Sequence, residues 1–185
     1  PVVLTGWRVG EVHWGGYAER ARVKGDWLIK LPAPLSLTRA MAVGTAGFTA
    51  MLAIDTLEAA GLTPAAGEVL VTGAAGGVGL IACQWLNHIG ATVIGTVGSE
   101  EKARLAKAHG CHHTINYREE DFVARVREIT GGEGVPVVYD SVGKDTFDGS
   151  LDCLRPRGMM VLFGAASGPV PPLDPNVLNK KGCLY

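Results

Sequence analysis

From Ala65 onward the chain alternates short β-branched runs with longer stretches whose apolar residues recur at helical spacing. That alternation predicts a parallel sheet covered by helices on both faces. Strands are expected near residues 68–72, 91–97, 113–116, 136–141 and 158–164, with helices near 77–89, 100–109, 119–130 and 145–154. Gly90, Gly110 and the Gly131-Gly132 pair each follow a helical stretch, where a left-handed cap residue is expected. Upstream, residues 37–60 are alanine-rich and carry Met41, Val43, Leu52, Ile54 and Leu57; they predict one or two helices, broken near Gly44–Gly47 and packed on the sheet's edge. Residues 1–34 place Trp7, Trp14 and Trp27 among glycines and close with Pro32 and Pro34, a pattern of β and loop. The chain opens on Pro-Val-Val-Leu and stops at Lys181-Gly-Cys-Leu-Tyr185, each resembling an apolar strand cut short. The terminal run predicts a sixth strand whose unpaired edge needs a partner subunit or further sequence, and a homodimer is the expected closure.

Residues 69–79, Val-Leu-Val-Thr-Gly-Ala-Ala-Gly-Gly-Val-Gly, carry the strongest chemical signal. A buried strand breaks into glycines, and Leu80, Ile81, Cys83, Gln84 and Leu86 then repeat at helical spacing. Glycines there permit a tight turn, let backbone N–H groups approach a pyrophosphate and allow close helix–strand packing, at a helix N-terminus that favours anions. The spacing is Gly-x-x-Gly-Gly-x-Gly rather than the commonest fingerprint. Ala75, Gly76, Gly77, Val78 and Gly79 are therefore candidate dinucleotide contacts. The expected class is α/β, a Rossmann-type doubly wound parallel sheet of about six strands over residues 35–185, after a β and loop remnant at 1–34.

At the end of the second strand, about 20 residues past the glycines, an enzyme preferring NAD places an Asp or Glu on the ribose hydroxyls. Here the position reads Gly98-Ser99, and Glu100 and Glu101 lie one step into the next helix. Lys102 follows within the first turn, in reach of a phosphate through a charge-assisted contact. This favours NADPH over NADH, with Gly98, Ser99 and Lys102 as cofactor contacts.

With 185 residues, 47% hydrophobic and 19% charged, the chain is long enough for one globular domain with a core, and a second complete domain is not expected. A formal charge of −1 with no basic cluster disfavours nucleic acid. Cys83, Cys111, Cys153 and Cys183 are too far apart for a Cys-x-x-Cys pair and suit buried thiols. His112 and His113 adjoin Cys111, but neighbours on a strand point to opposite faces, so no metal is expected. No apolar stretch is expected to reach the roughly 20 residues of a membrane helix, which excludes a membrane partner and makes the cytoplasm the expected compartment.

Ala75-Gly-Gly-Val-Gly-Leu-Ile-Ala-Cys-Gln-Trp85, Ile115-Asn-Tyr-Arg-Glu-Glu-Asp121, Tyr139-Asp-Ser-Val-Gly143 and Ser150-Leu-Asp-Cys-Leu-Arg155 resemble, in order, the NADPH quinone oxidoreductases. These are zinc-free members of the medium-chain dehydrogenase/reductase superfamily. Leu4-Thr-Gly-Trp7, His13-Trp-Gly-Gly16, Ala21-Arg-Val-Lys-Gly-Asp-Trp27 and Gly44-Thr-Ala-Gly-Phe-Thr-Ala-Met-Leu52 are instead similar to acryloyl-CoA reductases of the same superfamily. The two resemblances meet at the glycine loop. A natural intermediate sequence or a join where both parents share Gly-Gly-Val-Gly would each produce this, and the pattern leans towards a join.

The resemblance implies hydride transfer from NADPH to a small-molecule acceptor, a quinone or the activated C=C bond of an unsaturated thioester. It implies that Thr49, at a helix start, touches the nicotinamide side, and that Tyr117 joins Lys102 at the 2′-phosphate. Ser141 ends the fourth strand and Phe163-Gly164 the fifth, beside the nicotinamide; Ala166 stands where relatives often carry serine. Their plainer roles would be a capping hydroxyl, half-buried packing and a turn. The substrate pocket would lie on a separate GroES-like domain of which residues 1–34 are the tail, so no catalytic side chain is assigned. Asp140 and Asp145 read as structural. The competing class is an isolated NADPH-binding module without turnover.

Overall fold

Residues whose side chains branch at Cβ pack well on a pleated surface, and the runs rich in them pair here as one parallel sheet. The computed structural model describes residues 1–61 and 63–179. In chain order its elements are β1 (Val2–Val3), β2 (Ile29–Lys30), α1 (Leu37–Ala59), β3 (Val69–Val71), α2 (Gly77–His88), β4 (Val93–Val97), α3 (Glu100–Ala108), β5 (His113–Asn116), α4 (Phe122–Ile129), β6 (Val135–Asp140), α5 (Phe147–Cys153), β7 (Leu154–Leu162) and α6 (Asn176–Asn179). β1 and β2 form an antiparallel pair, and the main sheet runs β5-β4-β3-β6-β7 with every neighbour parallel. Each of the five expected strands is present. The sixth, expected at 181–185, lies outside the described residues.

The compact units are Pro1–Phe48 and Thr49–Tyr185, parting within α1, whereas the change in composition that suggested a boundary lies at residues 34/35. In the second unit, strand alternation sorts side chains between two apolar layers. Val69 and Val71 of β3 join Ala82, Cys83 and Leu86 of α2 in one layer, while Leu70 joins Val126 of α4 and Leu151 of α5 in the other. Along β6, Val135 and Val138 share a layer although they differ in parity. The register shift between Val135 and Val137 accounts for this, because an irregularity moves the side-chain phase by one residue.

The caps follow sequence. Gly90, Gly110, Gly131 and Gly132 all have positive φ (91°, 97°, 62° and 92°), as the expected left-handed caps do. Asp121 starts α4 later than the expected residue 119, since its Oδ1 accepts from the N–H groups of Val123 (2.9 Å) and Ala124 (3.4 Å).

Helix α1 departs from expectation in two ways. It is 23 residues long and contains an 18-residue window of mean hydropathy 1.4, which makes it long and apolar enough, by length and composition only, to cross a membrane, contrary to the expectation that no stretch reaches that length. Its backbone leaves helical geometry at Gly44 (φ 50°, ψ −159°), as the expected break near Gly44–Gly47 requires. The limb from Thr49 onward packs on the face of the sheet, not its edge: Ala50, Ala53, Ile54 and Leu57 bury against the layer that contains Val69, Val137 and Tyr139. Central strands β3 and β6 leave that face uncovered between helices, and α1 supplies the missing apolar surface.

Asp140, fully buried at the end of β6, organises the turn into α5. Its Oδ1 accepts from the N–H groups of Val142 (2.8 Å) and Gly143 (2.9 Å) and from the Thr146 hydroxyl (3.0 Å), and its Oδ2 accepts from the Ser150 hydroxyl (2.7 Å). Such a set satisfies a buried carboxylate and agrees with a structural role. Asp140→Asn, which weakens these charge-assisted bonds and turns one acceptor into a donor facing donors, is expected to lower stability by about 2–4 kcal/mol. A urea-unfolding midpoint shifted down at constant slope would show it; an unchanged midpoint would contradict the role.

Candidate functional site

The strand β3 ends in a glycine turn that its neighbours hold in place. Thr72 N–H donates to the Tyr139 carbonyl (2.9 Å), Gly73 N–H to the Thr96 hydroxyl (3.2 Å) and Ala74 N–H to the Thr96 carbonyl (3.0 Å). The turn is thus tied to β6 on one side and β4 on the other. Gly73 has φ 61°, a left-handed conformation that costs glycine nothing. Gly76 caps α2 without a side-chain acceptor, and the first bond of the helix is Leu80 N–H to the Gly76 carbonyl at 2.8 Å. The N–H groups of Gly77, Val78 and Gly79 therefore have no intrahelical acceptor.

Those donors sit at the positive end of a 12-residue helix, with roughly half a unit charge of macrodipole. Gly79 has no room for a side chain: a Cβ there would collide with the Gly73 carbonyl oxygen and lie 2.9 Å from Ala74 Cα. The helix start is consequently pressed directly against the turn, with its amide hydrogens gathered at the sheet's C-terminal edge. This geometry suits a phosphate.

Strand order reverses at β3, with β4 on one side and β6 on the other, and a cavity of about 280 Å³ opens there at the strand ends. Gly73, Thr96, Tyr117, Phe122, Val142 and Thr146 are among the residues that line it. An open α/β sheet binds ligands at such a reversal, outside the carboxyl ends of its strands.

At the end of β4 the buried Gly98 is covered by two side chains from the loop after β5. A Cβ on Gly98 would lie 2.6 Å from the Tyr117 hydroxyl and 3.5 Å from Arg118 Nε. Ser99 is the N-cap of α3, its hydroxyl accepting from Lys102 N–H at 3.3 Å. The Lys102 side chain is exposed, and Glu100 is engaged with Arg104 at 3.5 Å. The structure thus brings Gly98, Ser99, Lys102 and Tyr117 to one strand end, beside the glycine turn that β4 supports through Thr96. Sequence reasoning passed over Arg118, although it stands inside the Ile115–Asp121 motif next to the tyrosine.

Ser141 and Gly164 pack together on the β6 side. The Ser141 hydroxyl donates to the Thr72 carbonyl (3.2 Å), and a Cβ on Gly164 would lie 2.5 Å from the Ser141 carbonyl oxygen. Phe163 N–H donates to the Asp140 carbonyl (3.0 Å), and its ring meets Tyr139 edge-on with centroids 6.0 Å apart. Ala75 and Val78 are partly buried against the layer beneath the turn. Thr49 is not at a helix start as expected: it lies inside α1, past the Gly44 break, so a capping role is ruled out by position. Among the described residues no hydrogen bond joins Thr49 to the glycine turn.

Cys83, Cys111 and Cys153 are buried thiols, and Cys183 lies outside the described residues. Hydrogen bonding to Cys111, then burial, pushes the Cys83 thiol well above its ordinary range, while the same bond lowers Cys111. His112 does not lie within β5; its Nδ1 accepts from Val93 N–H at 3.1 Å. Among the described residues no group of three or more His, Cys, Asp or Glu side chains is placed to hold a metal ion.

The family model described as zinc-binding dehydrogenase matches residues 77–183, more than half of the chain. A curated quinone oxidoreductase of Salmonella typhimurium is 50% identical over 172 residues, 92% of this chain and 51% of that protein. An acrylyl-CoA reductase of Ruegeria pomeroyi is 62% identical over 114 residues, 62% of this chain and 34% of that protein. The solved Escherichia coli quinone oxidoreductase complexed with NADPH aligns with a TM-score of 0.77 at 49% identity, over 86% of this chain and 48% of that one. Both resemblances are real and they overlap, since 92% coverage carries the quinone-oxidoreductase likeness upstream of the glycine turn. The chain spans about half the length of the curated relatives it matches. The described side chains do not supply a zinc ligand set. By the matched family model, the chain belongs to the zinc-binding dehydrogenase family, within the medium-chain dehydrogenase/reductase superfamily.

Proposed function

We propose that this chain holds NADPH for a reductase that acts on a quinone or on an activated C=C bond, with an acryloyl-CoA-type thioester as the alternative acceptor. The observation that carries the proposal is the glycine turn, whose Gly77, Val78 and Gly79 amides have no intrahelical acceptor and where Gly79 admits no Cβ. When bound, NADPH supplies the hydride.

The chain's own residues bind and orient. In this reading Ala75–Gly79 hold the diphosphate, the cavity at Gly73 and Thr96 receives the adenosine, and Gly98, Ser99, Lys102 and Tyr117 receive the 2′-phosphate. Ser141, Phe163 and Gly164 would flank the nicotinamide, with Thr49 on its other side. No carboxylate ends β4 to repel the extra phosphate. Orientation of this kind supplies roughly 7–11 kcal/mol of barrier reduction in well-positioned systems. Residues 1–34 belong, in the same proposal, to the tail of a GroES-like substrate domain, and no catalytic side chain is assigned here. The whole protein is proposed to be a cytoplasmic homodimer; among the described residues no strand pairs beyond β7, the outer strand on that side. Support for the acceptor comes from the relatives named quinone oxidoreductase and acrylyl-CoA reductase.

Lys102→Ala is expected to weaken NADPH binding about tenfold and NADH binding by less than about twofold, as a lost charge-assisted contact to one phosphate would. Titration of coenzyme fluorescence measures both, and equal losses would reject the assignment of Lys102. A full-length protein is expected to oxidise NADPH when given a simple quinone or acryloyl-CoA, followed by loss of absorbance of the reduced coenzyme. Binding without oxidation by either acceptor would instead favour a coenzyme-binding module.

A further inference from the structure

We propose that Arg118 is a specificity-determining residue for NADPH, gripping the 2′-phosphate together with Lys102. The inference rests on the NADPH reading and adds to it a residue that neither the strand-end pattern nor the resemblance supplied. Its starting point is Gly98, the residue where an NAD-preferring site would place a carboxylate. Here there is no Cβ: the hydroxyl end of Tyr117 occupies the space a side chain would take, 2.6 Å from the position of a Cβ, and Arg118 Nε lies in contact distance of the same point at 3.5 Å. The backbone that carries the guanidinium is fixed at the end of β4: Tyr117 N–H bonds to the Val97 carbonyl (3.1 Å) and Arg118 N–H to the Asn116 side-chain oxygen (3.3 Å).

Charge balance decides whether that guanidinium is available. Three acids follow it directly, Glu119, Glu120 and Asp121, and a run of that kind would ordinarily cancel it. Two of them are committed elsewhere. Glu120 accepts from Asn116 N–H at 3.2 Å and lies 3.9 Å from Arg125, while Asp121 caps α4. Arg125 in turn engages Glu128. Among the described residues no carboxylate forms an ion pair with Arg118 or with Lys102, and both side chains are exposed.

The two cations differ in what they offer. Lysine provides a mobile point charge, whereas the planar guanidinium presents a fork that matches two oxygens of one phosphate. Arg118 therefore contributes geometry as well as charge. Because the site is open to water, its effect should fall as salt is added.

The experiment is calorimetric titration of the 185-residue chain with adenosine 2′,5′-bisphosphate and with adenosine 5′-monophosphate. Arg118→Ala is expected to weaken the bisphosphate about tenfold, the low end for bonds to charged groups because the site is solvated, and to change the monophosphate by less than about twofold. Arg118→Lys should recover part of the loss, and the preference should shrink in added salt. If the wild-type chain binds the bisphosphate no more tightly than the monophosphate, the NADPH reading and this inference fall together. If the wild-type preference is present and survives in Arg118→Ala, or if both ligands weaken equally, only the role of Arg118 is overturned.

Discussion

The close approach of the α2 N-terminus to the end of β3 is the constraint on which the site depends. It exists because Gly79 lacks a Cβ: any side chain there would strike the Gly73 carbonyl and the Ala74 backbone. Moving the helix away to make room would carry the amides of Gly77, Val78 and Gly79 from the strand ends and disperse the field they create together. The turn cannot relax sideways either, since Gly73 and Ala74 are bonded to Thr96 and Thr72 to Tyr139. A rigid array of donors is the result, prepared before any anion arrives, and preorganisation of this kind lowers the entropic cost of binding.

That rigidity is borrowed from the sheet. β3 is central, paired with β4 and β6, and its Val69, Leu70 and Val71 are buried on both faces. Burying side chains of this size stabilises by about 1.5–3 kcal/mol each, so the strand that presents the turn is among the best-anchored parts of the chain. Asp140 does the same for the neighbouring strand end, exchanging water for four protein donors and so fixing the β6–α5 turn beside the cavity. Binding loops are here short extensions of a buried scaffold.

Charge at the end of β4 separates two levels of recognition. In the proposed reading the glycine turn would accept a diphosphate whichever coenzyme carries it, because backbone amides do not distinguish one adenosine from another. Discrimination would then rest with the end of β4 and the loop after β5, where Tyr117 fills the space a side chain on Gly98 would claim and Arg118 lies beside it. In that reading, fold and coenzyme specificity would be located in different elements.

Local patterns alone determined the order of strands and helices, the glycine turn, the left-handed caps and the missing acid at Gly98, because each of these follows from short-range sterics and side-chain periodicity. Pairings remote in sequence were decided by tertiary structure. Helix α1 covers a sheet face rather than an edge because β3 and β6, 64 residues apart at Val71 and Val135, adjoin and leave apolar surface between helices. Thr49 reads as a helix start only if the helix is taken to begin after Gly47; the backbone instead leaves helical geometry at Gly44, so Thr49 already lies inside the limb that follows. Arg118 is indistinguishable from its neighbours in a run of charges, since only folding commits Glu120 and Asp121 to other partners and brings the Arg118 side chain to Gly98. Short-range geometry is written residue by residue, whereas which charges remain unpaired depends on every element that packs nearby.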